Sequence, residues 1–155
     1  MKKKLFLFVT LLTLAVAGCG SSSSTSSSVS SETETKEIKN GSYEIAGNTF
    51  VFNNKVHDDV TGNWRLSTTV TADDVTDYAV EYYETLFSDN SEIHAIINKG
   101  LNTTNRINVL TDDLLDVTVY DYVTDEEKNA KTLFSGTVLA EYQITISTGE
   151  VEEIK

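Results

Sequence analysis

Few residues in this chain are of types that do chemistry. There are two histidines, one cysteine and 24 acidic residues against 12 basic ones. His57 is followed by Asp58 and Asp59, and a neighbouring carboxylate is what orients an imidazole acting as a general base. His94 stands in the run Ile93-His94-Ala95-Ile96-Ile97, where alternation with Ile93 and Ala95 places it on the wetter face of a strand. No G-x-S-x-G elbow accompanies the many serines. No H-E-x-x-H and no second thiol accompany the histidines, so a zinc site would need His57, His94 and carboxylates to converge through the fold. Carboxylates cluster at Asp58-Asp59, at Asp112-Asp113 with Asp116, and at Asp125-Glu126-Glu127. Oxygen-rich sets of this kind suit calcium, but none has the D-x-[DN]-x-[DN]-G spacing of a calcium loop. Carboxylate pairs also serve glycosidases, yet a chain this acidic forms pairs everywhere. The expectation is a non-enzymatic domain with no catalytic residue, no metal and no cofactor. A small hydrolase built on His57 or His94 beside a carboxylate pair is the alternative of a different class.

Aromatic residues offer contact rather than catalysis. Tyr120 and Tyr122 share the strand face opposite Val117 and Val119, and tyrosines on an exposed face would make an interaction surface. Tyr78, Tyr82 and Tyr83 sit at helical spacing and read as core.

The formal net charge is −12, and without Lys2, Lys3 and Lys4 nine basic residues remain and the charge is about −15. Binding phosphates needs clustered Lys and Arg, so nucleic acid is not an expected partner. The same charge opposes lying flat on an anionic membrane and favours solubility.

The elements that would position these residues follow from periodicity. Tyr43 and Ile45, then Phe50 and Phe52, alternate on either side of Ala46-Gly47-Asn48, a β-hairpin signature. Trp64, Leu66 and Val70 mark one face of the next strand. The clearest helix is residues 72–87, with Thr71 as N-cap, Asp73 and Asp74 in the first turn, and Val75, Tyr78, Ala79, Tyr82, Tyr83 and Leu86 along one side. Strands follow at 93–97, 106–110, 115–120 and 140–146, with a short last strand at 151–154; residues 124–131 form a polar, helical or irregular connection. The fold class expected is α+β: one amphipathic helix packed on a meandering antiparallel sheet of about four or more strands, preceded by a β-hairpin.

The N-terminus is of another kind. Three lysines precede residues 5–17, an uncharged and mostly apolar stretch of 13 residues. As a helix it would span about 20 Å, short of a hydrocarbon core of about 30 Å, and its length and flanks fit a secretory signal peptide. Val16-Ala17-Gly18-Cys19 resembles a lipobox, and the chain so resembles bacterial lipoprotein precursors. The Ser/Thr-rich stretch that follows is similar to the spacers of Gram-positive lipoproteins. The resemblance implies removal of residues 1–18, lipidation of Cys19, and residence on the extracytoplasmic face of the cell membrane. Two or more acyl chains are needed because one alone binds only marginally. Cys19 is the single cysteine, so no intrachain disulfide is available. Residues 19–37 read as a disordered tether reaching about 20 to 60 Å, and residues 38–155 as one small domain.

Residues 142–154, YQITISTGEVEEI, are similar to the close of PepSY-type domains, with strand, Gly-bearing turn and short strand. This resemblance implies a regulatory or inhibitory domain acting on another envelope protein; from element order alone a cystatin-like arrangement is an equally fair comparison of architecture. The leading expectation is a lipid-anchored binding or interaction module. Its partners would be the membrane, through the lipid on Cys19, and an extracytoplasmic protein or ligand.

Overall fold

The computed structural model describes residues 36–55, 63–129 and 131–155. The signal stretch, Cys19 and the spacer up to residue 35 lie outside the described residues, as do His57, Asp58 and Asp59. No helix among the described residues is long and apolar enough to cross a membrane.

The fold is α+β, and it is mostly sheet. Eight strands lie side by side in chain order: β1 (Gly41–Ile45), β2 (Asn48–Asn53), β3 (Trp64–Thr69), β4 (Ile93–Asn98), β5 (Thr103–Thr111), β6 (Leu114–Asp121), β7 (Val138–Thr145) and β8 (Val151–Glu153). One helix, α1 (Val75–Leu86), lies between β3 and β4 in the chain. The hairpin expected at 42–52 forms and is part of the same sheet, with Ile45 opposite Asn48 and Gly41 opposite Phe52.

Every neighbouring pair is antiparallel except β3 and β4, which run parallel with Trp64 beside Ile93 and Thr69 beside Asn98. This corrects the expectation of a wholly antiparallel meander. The helix is the cause: a connection containing a helix carries the chain back to the end where β3 began, and a parallel neighbour requires such a crossover.

The helix is also shorter at its start than its spacing predicts. Asp74, not Thr71, is the N-cap, accepting from Thr76 N through Oδ1 at 3.1 Å. Val75, Tyr78, Ala79, Tyr82 and Leu86 are buried against the sheet, and Tyr83 is half-buried. Phe50 meets Tyr78 and Tyr82 edge-on at 5.0 and 5.2 Å. Ile96, Ile107, Leu115, Val117 and Ile144 complete this core from β4 to β7. At the far end of α1, Lys36 Nζ donates to the carbonyls of Glu84 and Thr85. It supplies the positive charge that the last turn lacks.

The opposite face of the sheet is covered in part by the chain's own residues 122–129 and 131–136. Leu66, Ala95 and Ile97 form a second buried cluster there with Tyr122, Leu133 and Phe134 packed on it. Leu66 therefore faces away from the helix, while Val70 falls outside β3 and is exposed. Gly136 lets the segment close on β6, since a Cβ there would stand 1.8 Å from the Asp121 carbonyl oxygen.

The β1–β2 turn uses Ala46 and Gly47, both at positive φ, 49° and 78°. Two such residues make the twisted turn that suits a two-residue hairpin, and Asn tolerates its first position better than Ala. Ala46→Asn is expected to raise stability by about 0.5–1 kcal/mol, measured by urea unfolding. A loss of stability would mean that the half-buried Ala46 methyl matters more than the backbone conformation.

Candidate functional site

Three polar groupings are built into the fold. The first lies inside the helix–sheet core. Alternation along β3 and β4 turns Ser67 and His94 toward the helix, with Ser67 opposite Phe52 on β2. Tyr82 descends from α1 onto both. Its hydroxyl lies 2.6 Å from Ser67 Oγ and 3.0 Å from His94 Nδ1. His94 Nε2 lies 3.0 Å from Glu92 Oε2, and Glu92 also accepts from the Ser88 hydroxyl and backbone N–H. Arg65 Nη2 stands 3.5 Å from Glu92 Oε1. A carboxylate at Nε2 calls for a proton there, so Nδ1 accepts from Tyr82 and Tyr82 accepts from Ser67. The ring of His94 is stacked on Phe87 at 3.8 Å and on Phe52 at 5.8 Å.

His94 is thus fully buried on the helix side, which corrects its expected place on the wetter face. The reason is that its two ring nitrogens both find partners and its two faces both find aromatic rings. Burial pushes the imidazole below its ordinary value of 6.5, against the pull of Glu92 and with the help of Arg65. Burial pushes the Glu92 carboxyl up, but hydrogen bonds from His94 and Ser88 outweigh it and hold its pKa down at about 2. Ser67, Tyr82 and His94 each have no exposed surface, so a substrate has no approach to the serine or the imidazole.

The second grouping fixes the back of the sheet. Glu126 is fully buried in a single 3-10 turn, Glu126–Lys128. Its carboxylate accepts from the Thr104 hydroxyl and from the backbone N–H of Val123 and Phe134, at 3.2 and 3.1 Å. Tyr120 and Tyr122 are both half-buried here. The Tyr120 ring meets Phe134 at 5.3 Å. Tyr122 donates to Glu127, accepts from Asp125 N, and carries Lys99 Nζ 3.8 Å above its ring. The Asp125-Glu126-Glu127 cluster is therefore occupied in holding this segment. Among the described residues, no group of three or more His, Cys, Asp or Glu side chains is placed to hold a metal ion; Asp112, Asp113 and Asp116 form none.

The third grouping is a pocket of about 320 Å³ beside the first turn of α1. A 12-residue helix is about 18 Å long, whereas the nine residues of β5 extend about 30 Å. The helix cannot cover the sheet, and the pocket opens where it stops. Its walls are Val75 from the helix, Val119 from β6, and Leu139, Ala140 and Tyr142 from β7. Asp74, Leu101, Thr103 and Asn105 complete it. Asn98 fixes the rim by accepting from Gly100 N and Leu101 N while donating to the Asp73 carbonyl. Gly100 allows that approach, because a Cβ would stand 1.6 Å from the Thr71 carbonyl oxygen.

Two pocket residues carry an unusual feature. Thr103 Oγ1 and Asn105 Oδ1 are buried oxygens without a hydrogen-bond partner. Asn105 spends its amide N–H on the Tyr78 hydroxyl at 2.7 Å, which leaves Oδ1 as the unused end. Buried polar atoms without partners are rare and each costs about 1–3 kcal/mol. Sequence reasoning missed Thr103 and Asn105. Periodicity tells which face a residue takes, not whether its polar atoms find partners.

The chain matches no protein-family model, no curated protein and no solved structure.

Two outcomes are expected. In the unfolded chain His94 takes up a proton near pH 6.5, and in the fold it resists doing so. Its stabilising contribution is complete above that pH and is lost as the pH falls below it. Glu92 acts in the same direction lower down, from about 4.5 toward about 2. Urea unfolding between pH 7.5 and 5 should show stability falling below pH 6.5, with that limb flattened in His94→Gln. An identical limb in the variant would place the titration elsewhere. Second, replacing Tyr120 and Tyr122 together by Ser should cost about 2–3 kcal/mol, since both are packed and Tyr122 holds two hydrogen bonds. Unchanged stability would return them to the role of a free contact face.

Proposed function

We propose that this protein is a lipid-anchored, extracytoplasmic, non-enzymatic binding module, tethered through Cys19, whose ligand enters the pocket beside the first turn of α1. The observation that carries the binding reading is the pairing of apolar walls with two buried, unpartnered oxygens, Thr103 Oγ1 and Asn105 Oδ1. Small-molecule sites have that make-up: mostly apolar lining, a few convergent polar groups, and volumes of roughly 300–1,000 Å³. The closed Ser67–Tyr82–His94–Glu92 chain supports the same reading, because the grouping that most resembles catalytic machinery is spent on packing. The lipobox sequence ending in Cys19 supports the anchor.

Both halves of the proposal are testable. In a bacterial host, Cys19→Ala should move the chain from the membrane fraction to the soluble fraction; retention in membranes would overturn the anchor. A fragment screen by ligand-observed NMR against the purified chain should find binders that compete for one site. Ala140→Phe, which fills the pocket from β7, should abolish them while the melting transition persists. Equal binding by both proteins would remove the pocket from the reading.

A further inference from the structure

The pocket's polar groups have one sign. Asp74 stands at its edge, and its cap role engages Oδ1 with Thr76 N and Thr76 Oγ1, but not Oδ2. No basic residue lines the pocket. The negative field reaches its tyrosine wall: Tyr142 is pushed up by burial, then by Asp74 and Glu153. Tyr78, the partner of Asn105, is pushed up by burial and further by Asp74 and Asp73. A helix N-terminus ordinarily attracts anions through its free N–H groups and dipole. Here a carboxylate already occupies that place, with Asp77 in the first turn behind it. An incoming anion would meet like charge, whereas a cation would meet Asp74 in a pocket that Tyr142 also lines.

The unpartnered atoms refine the choice. Asn105 Oδ1 only accepts, and Thr103 Oγ1 accepts or donates. Both atoms are buried, so a donor meets them only by displacing the lining; a ligand group bearing several N–H donors that does so satisfies both, and a quaternary ammonium satisfies neither. Leu101 and Leu139 stand exposed at the rim, 42% and 49%, so the mouth can accept an apolar body without burying another polar group. We propose that the pocket binds a small primary amine in its ammonium form, with the charge beside Asp74, N–H donors toward Asn105 and Thr103, and a compact apolar body against Val75, Val119 and Leu139.

This assignment rests on the pocket being the ligand site. The probe is n-butylammonium, with n-butanol, butyrate and tetramethylammonium as neutral, anionic and donor-free counterparts, titrated into the full chain and followed by protein NMR shifts. Butylammonium should bind in the millimolar range or tighter and at least tenfold more tightly than each counterpart, and should weaken as salt is raised. Asp74→Asn keeps a good helix cap and deletes the charge; it should weaken butylammonium about tenfold without lowering the melting temperature appreciably. Ala140→Phe should abolish binding. If butyrate or butanol binds as well as butylammonium, the ammonium assignment falls and the pocket reading stands. If tetramethylammonium binds as well, the donor requirement falls, and so does the primary-amine assignment. Unchanged butylammonium affinity in Asp74→Asn overturns the charge argument. If none of the four binds, or Ala140→Phe binds butylammonium unchanged, the amine proposal and the pocket reading both fall.

Discussion

The structure depends on how one helix buries its tyrosines. Tyr78 and Tyr82 bring large apolar rings to the sheet, and each also brings a hydroxyl that must not be stranded. The strands beneath answer each one. Asn105 donates to Tyr78, and Ser67 and His94 take Tyr82 between them. A purely apolar strand face would have left both hydroxyls without partners. This explains why β3 presents Ser67 to the core, where Val or Ile would otherwise be expected; Thr69 is held instead by Thr71. It also explains why His94, though fully buried, sits comfortably between Phe52 and Phe87. The hydrogen bonds fix where along the sheet the helix lies, which area burial alone does not.

The helix can play this part only because the sheet has a second cover. With one face under α1, the residues on the other face of β3 and β4 include Leu66, Ala95 and Ile97, which need burial too. The segment after β6 folds back over them and is held by polar anchors rather than by regular structure. Glu126 gathers one hydroxyl and two backbone N–H groups, and the Lys99–Tyr122–Glu127 contact closes the edge. A buried carboxylate is expensive unless its oxygens are satisfied, and here three donors satisfy them. The segment's place is thereby fixed, and Tyr120 and Tyr122 become part of a packed layer.

These two covers decide what the sequence could tell. The hairpin at Ala46-Gly47, the helix stripe and the alternating strands were legible because each is a local pattern with a fixed period. The faces of β3 and β4 were not. Alternation separates Trp64 and Leu66 from Ser67, and a one-sided sheet would turn the apolar pair inward. In a sheet covered on both sides the larger apolar set need not face the helix. The outward place expected of His94 fails for a related reason: its polarity points outward until Tyr82 from α1 and Glu92 from the turn before β4 give it partners. The parallel β3–β4 pair follows from where the helix connection lands, which no strand records by itself. The pocket was least legible of all. Its defining atoms are oxygens without partners, and that is a property of their surroundings in three dimensions.

The pocket is a consequence of the same short helix. Had the apolar stripe extended back through Thr71 and Ala72, the first turn would cover Thr103 and Leu101, and the end of the sheet would close. The chain instead starts its helix at Asp74, a residue whose β-region backbone and capping carboxylate stop the helix from growing backward. One side chain therefore sets the helix boundary, opens the space beside it and gives that space its charge. Leaving Thr103 Oγ1 and Asn105 Oδ1 without partners costs stability. Among the described residues Arg106 Nε, on the other face of β5, is also buried without a partner; on the helix side Tyr78, Tyr82 and His94 all find partners, and the two unpaired oxygens lie where the helix stops. The open end, the unpaired oxygens beside it and the acidic cap coincide at this helix start, and the proposed ligand site rests on that coincidence.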